Sequence, residues 1–139
     1  MLRTLLLLAV GAFLAAGGFA PGHDDKGEVK RKVVSARDIV EKLDGKEARA
    51  TVVEVTLEPG QEGAAHRHPG PVFGYVLEGE YEWGIDDQPA KILKMGETFY
   101  EPGGCLHRVT RNPGKVKTRV LAWVLHARDA KDLVIPVKQ

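Results

Sequence analysis

The 139-residue chain carries 20 Lys and Arg against 19 Asp and Glu, a formal net charge of +1, with 28% charged and 43% hydrophobic residues. So even a balance gives no electrostatic reason to expect nucleic acid or a strongly acidic partner, and the length suits one domain with one core. The single cysteine, Cys105, excludes an intrachain disulfide, so burial must hold the fold together.

In chain order, residues 1–20 come first and stand apart. Arg3 precedes an apolar run from Leu5 to Leu14, and small residues follow. That order is the pattern of a secretory signal peptide, with cleavage after Gly17 or Gly18. The run is too short to favour a membrane span. The expectation is an exported protein, periplasmic or extracellular, free of the membrane after cleavage. Residues 21–34 are polar and read as a solvated leader, with His23 exposed.

A domain over 35–139 follows. Ser35 is placed to cap a short N-terminal helix, SARDIVEKL, with Asp38 as its capping-box partner, Ile39, Val40 and Leu43 as its apolar stripe and Gly45 as its stop. Beyond Gly45 the pattern turns to strands: ARATVVEVTLEP, VFGYVLEG, EYEWGI, AKILK, ETFYE, HRVTRN and KTRVLAWVLHA. Pro59-Gly60, Pro69-Gly70, Asp86-Asp87, Met95-Gly96 and Asn112-Pro113-Gly114 punctuate them. Many short strands with such turns indicate an all-β sandwich or barrel. The tail, DAKDLVIPVKQ, is expected to add a last short strand or to pack outside.

His66 and His68 are separated by one residue, so on an extended strand both imidazoles share a face and form a chelate. A divalent metal needs at least one more ligand. His107 opens HRVTRN after the turn at Pro102-Gly103-Gly104, and it completes a three-nitrogen face if that strand neighbours the first. His126, among apolar residues in WVLHA, reads as a core or edge histidine. Arg67, between the two ligands, should face away from them. Phe73 and Trp123 read as core, Tyr75 as barrel packing pointed away from the metal, and Cys105 as a small buried residue near the entrance.

At these residues the chain resembles the cupin family. One cupin motif has a glycine, HxH, a glutamate and a second glycine, and Gly60, His66, His68 and Gly79 fall in its register. The second has a glycine, PxG, a histidine and an asparagine. Gly96, Pro102, Gly104 and His107 match it, and Asn112 comes one residue late. The resemblance spans about residues 48–126. It implies a cupin jelly-roll β-barrel with one divalent metal ion, Fe, Cu, Ni, Mn or Zn, held by His66, His68 and His107. It also implies a small-molecule ligand or substrate, and a homodimer.

The resemblance breaks at one point. The position of the family's metal-binding glutamate is Val72, or Phe73 with the longer spacing, and neither side chain binds a metal. Three readings stand. The site has three histidines and open positions; or another acid serves, Glu101 ahead of the second turn or Glu62 on the loop before His66; or the site no longer binds metal. Three neutral imidazoles would leave the ion its full charge, suited to bidentate enolates, catecholates or carboxylates. The expected function is a dioxygenase-like metalloenzyme with Glu101 as general acid or base. A non-catalytic module that binds a small ligand or metal is the alternative, and a decayed barrel kept as a structural unit is a third.

Overall fold

The computed structural model describes residues 27–137. The expected signal segment, His23 and the leader up to residue 26 lie outside the described residues. Ten strands run in the order β1 (Lys30–Leu43), β2 (Lys46–Leu57), β3 (His66–Arg67), β4 (Val72–Glu78), β5 (Glu80–Ile85), β6 (Lys91–Lys94), β7 (Thr98–Glu101), β8 (His107–Arg111), β9 (Thr118–Ala127) and β10 (Ile135–Pro136). They form two five-stranded antiparallel sheets, β1-β2-β9-β4-β7 and β10-β3-β8-β5-β6. The tail does supply the last strand, β10, which pairs with β3.

The N-terminal helix is not formed. Residues 35–43 belong to strand β1, which pairs antiparallel with β2 from Lys30↔Thr56 to Leu43↔Lys46. The reason lies at the turn. Asp44 and Gly45 have φ of 49° and 75°, the two positive values of a tight two-residue hairpin whose twist matches its strands. Gly45 therefore reverses a hairpin instead of ending a helix. The leader is corrected too: from Lys30 it is the first part of the same strand.

The two sheets bury one core between them. Val72 and Val76 on β4, Leu57 on β2, and Val120 and Val124 on β9 meet Tyr81, Trp83, Ile85 and Leu93 from the other sheet. The residues opposed across the first sheet show how parity builds this face: Val55↔Val120, Val76↔Val120, Val72↔Val124 and Val72↔Glu101 all point inward. Complete burial of each Val or Leu contributes about 1.5–3 kcal/mol.

The alternate residues point outward, which corrects the assignment of Phe73 and Trp123 to the core. Phe73 is 49% and Trp123 37% exposed, and Tyr75 is exposed beside them. Val52, Trp123, Phe73 and Tyr100 stand in register across four strands. Phe73 and Tyr100 meet at a ring-centroid distance of 5.1 Å, a cross-strand aromatic pair on the outer face. Parity sends Tyr75 away from the site, as expected, but onto this surface and not into packing.

Gly74 lies on the inner face opposite Phe99. A Cβ there would come within 1.9 Å of Phe99 Cζ. The Phe99 ring lies over the space that any side chain at 74 would fill, and it packs against Tyr81 and Trp83 from the second sheet.

Candidate metal centre

The short strand β3 places the first histidine. His66 is the direct cross-strand partner of His107 on β8, so the two sequence motifs meet at one pair of opposed residues. His68 lies just past the end of β3. The ligand nitrogens of the three histidines all fall within 4.8 Å of one another.

Each imidazole has one nitrogen anchored to a backbone carbonyl. His66 Nδ1 lies 2.9 Å from Ala64 O, His68 Nδ1 2.6 Å from Leu133 O, and His107 Nε2 2.9 Å from Val109 O. A carbonyl only accepts, so in each neutral ring the anchored nitrogen carries the hydrogen and the other presents a bare lone pair. His66 Nε2 and His68 Nε2 then face one another at 3.1 Å with no proton between them. His107 Nδ1 is buried with no hydrogen-bond partner. Three lone pairs aimed at one place repel unless a cation sits there, and backbone anchoring of the far nitrogen is the usual support of a metal-bound histidine.

Glu101 completes the ring of groups. It is 1% exposed. Oε1 accepts from Trp83 Nε1 at 3.0 Å and lies 3.2 Å from His107 Nδ1. Oε2 lies 3.6 Å from His68 Nε2 and has no hydrogen-bond partner. Burial drives the electrostatics. It pushes the Glu101 carboxyl up to about 7, against the pull of the Trp83 N–H. It holds His68 down at about 4 and His107 at about 3, and lowers His66 as well. The imidazoles are therefore neutral near pH 7, as ligands must be. With three bare nitrogens and an orphan carboxylate oxygen, the donor set fits a divalent metal.

Glu101 lies opposite the position of the family's glutamate. Val72 faces Glu101 directly across the β4–β7 ladder. Opposed residues have Cβ atoms about 4.5–5.5 Å apart, so a carboxylate on β7 addresses the same space as one on β4 at residue 72. Glu62 lies elsewhere: it is exposed, its backbone pairs with that of Arg111, and it lines an outer groove instead of the histidine cavity.

The other expectations fall into place around this centre. Arg67 points outward and donates to Gly104 O at 2.6 Å. His126 is buried away from the cluster, 2.9 Å from Thr51 Oγ1. Cys105 is half-buried against the core, and burial together with the charges of Glu101 and Asp86 pushes its thiol up to about 11, so it stays protonated. Sequence reasoning missed Trp83 as the group that holds Glu101, Leu133 O as the anchor of His68, and Thr110 and Tyr81 beside His107 Nε2, at 3.0 and 3.4 Å. Only the tail's expected strand hinted at any of these. In front of the histidines lies a cavity of about 50 Å³ whose walls include Val53, Val55, Val72, Phe99, Val120 and Val124. One water-sized position takes about 10–15 Å³ on that scale, so the room suits a few waters or a small organic molecule.

The sequence pattern of the cupin domain family matches residues 53–124, more than half of the chain. The chain belongs to the cupin family. No curated protein matches this cupin. Among solved structures, it is similar to an uncharacterized conserved protein with a double-stranded beta-helix domain from Klebsiella pneumoniae, with 25% identity, a TM-score of 0.60, and coverage of 85% of this chain and 90% of that one. It is similar to an oxalate oxidase in complex with the substrate analogue glycolate, at 25% identity and a TM-score of 0.52, over 58% of this chain. The cupin spans only 43% of that oxalate oxidase's length. KdgF from Halomonas sp. shares the fold at 22% identity and a TM-score of 0.56, over 73% of this chain and 81% of that one.

Proposed function

We propose that this cupin is a metalloenzyme that binds one divalent ion through His66, His68 and His107, with Glu101 as the fourth group, and carries out dioxygenase-type chemistry on a small oxygen-bearing anion. The observation that supports it most is the convergence of bare nitrogens: three imidazoles, each with its far nitrogen tied to a backbone carbonyl, beside a buried carboxylate. A divalent ion held there supplies Lewis-acid charge to polarise a chelated substrate, and a redox-active one also supports reaction with dioxygen.

The chain's own residues do the rest. Glu101 Oε2, free of hydrogen bonds beside the histidine nitrogens, is placed to take a proton from the substrate and return it. Trp83 holds the other carboxyl oxygen in place. The valine walls and Phe99 keep bulk water out and strengthen every charge interaction inside. The cavity of about 50 Å³ favours small enolates and carboxylates. The oxalate oxidase neighbour, bound to glycolate, supports a short carboxylate. The apolar run of the first twenty residues supports export, and the uncovered row of Trp123, Phe73 and Tyr100 supports a homodimer.

Elemental analysis of untagged protein from its native compartment tests the reading. About one equivalent of iron, copper, nickel or manganese is expected, and the double variant His66→Ala/His68→Ala should lose it while remaining folded. Full metal content in that variant removes the site assignment. Metal without oxygen uptake on small oxygenated acids favours the non-catalytic binding module.

A further inference from the structure

Arg31 has no role in the site as described, yet it lines the histidine cavity. It sits on β1 directly opposite Val55, whose side chain is part of the inner wall, so strand pairing turns Arg31 to the same side. It is the one cationic side chain among the described residues around that cavity, and Glu101 is the one acid. Arg31 also borders an outer groove with Glu28, Glu62, His66 and Val134. It therefore stands at the mouth, where the groove opens inward.

Like Arg67 and Arg108, Arg31 hydrogen-bonds a backbone carbonyl and no carboxylate, but more loosely than their 2.6 and 3.0 Å. Arg49, Arg111, Arg119 and Arg128 each pair with a carboxylate. Arg31 donates from Nη1 to Val29 O at 3.3 Å, a long bond, and among the described residues no carboxylate pairs with it. An unpaired guanidinium at the mouth of a small, apolar-walled cavity is a fork for a carboxylate.

We propose that Arg31 is the specificity-determining residue of this cavity, receiving the carboxylate of a short organic acid as it enters toward His66, His68 and His107. The inference rests on the reading of the cavity as a substrate site. It adds the class of substrate, an anion of a few carbons, and the residue that selects it.

The test is calorimetric binding of glycolate, oxalate and pyruvate, with glycolamide as the neutral counterpart of glycolate, to wild type, Arg31→Gln and Arg31→Lys. Metal content and melting temperature are measured on the same samples. A charge-assisted hydrogen bond is worth about 1.5–3 kcal/mol, so Arg31→Gln should weaken the best acid by roughly 10- to 100-fold. Arg31→Lys, which keeps the charge and loses the fork, should fall between. Metal content and melting should not move, and glycolamide should not distinguish the variants. Equal acid binding by wild type and Arg31→Gln overturns the inference, as does a wild type that binds none of the acids. A wild type without metal sinks the metal reading, while acid binding by the metal-free protein still decides the role of Arg31.

Discussion

In protein stripped of metal by a chelator, Glu101→Gln should stabilise the fold at high pH and not at low pH. Burial raises the Glu101 carboxyl from 4.5 to about 7. A carboxyl that holds its proton more tightly folded than unfolded favours the native state fully below pH 4.5, and that advantage is lost as pH rises through about 7. The shift of about 2.5 units, at about 1.36 kcal/mol per unit, amounts to roughly 3 kcal/mol. Glutamine copies the protonated acid. Its oxygen can accept from Trp83 Nε1, which puts its amide in the place of Oε2, facing the bare Nε2 of His68. The histidines act in the opposite sense, since their lowered values cost stability as pH falls below 6.5. They are common to both proteins and cancel in the difference. Urea unfolding at pH 5 should give wild type and variant within about 1 kcal/mol of each other, and at pH 8 the variant should be ahead by roughly 2–3 kcal/mol. With saturating metal the order should reverse, because the ion gains from the charge that glutamine lacks. A stability difference that is the same at pH 5 and pH 8 would refute the account of a buried, proton-holding Glu101.

Two further substitutions follow from the inner face of the first sheet. Exchanging the opposed residues, Val72→Glu/Glu101→Val, should recover metal affinity to within about tenfold of wild type, whereas Glu101→Val alone should lose about 10- to 100-fold; competition against a coloured chelator measures both, and a double variant no better than the single one means that the two positions do not address the same point. Gly74→Ala drives a Cβ to 1.9 Å from Phe99 Cζ, so the ring must leave its packing on Tyr81 and Trp83, at a cost of about 1–3 kcal/mol. Calorimetry should show a melting temperature several degrees lower, and an unchanged one means that Phe99 has another place to go.

Much of the barrel was legible because Gly and Pro punctuate β-branched runs, and the histidines were legible because HxH on a strand has only one geometry. The helix over 35–43 failed for a physical reason. Ile39 and Leu43 are half-buried and four apart, a spacing that one face of a helix and one face of a strand both satisfy. Asp44-Gly45 decided between them. Read as a helix stop, it ends an element; read as the two positive-φ residues of a hairpin, it pairs residues 30–43 with β2. Phe73 and Trp123 failed through the same periodicity. Size and aromaticity argue for the core, but alternation from Val72, Val76, Val120 and Val124 leaves them no inward position.

The same alternation explains why the carboxylate could be guessed from the sequence but not placed. A motif read along one strand fixes which residue on that strand faces the metal, and on β4 it is Val72. It says nothing about which residue of a neighbouring strand shares that face, because sheet order is not a local property. The register Val72↔Glu101 supplies what the motif lacks: two side chains on one row of the ladder, either of which can carry the acid. On the proposed reading the site uses a carboxylate at that point in space, buried, held by Trp83 and facing His68 and His107. On the same reading valine at 72 is compatible with a working site. It is the apolar partner that leaves room for Glu101, and two carboxylates facing one another across the ladder would repel where one suffices.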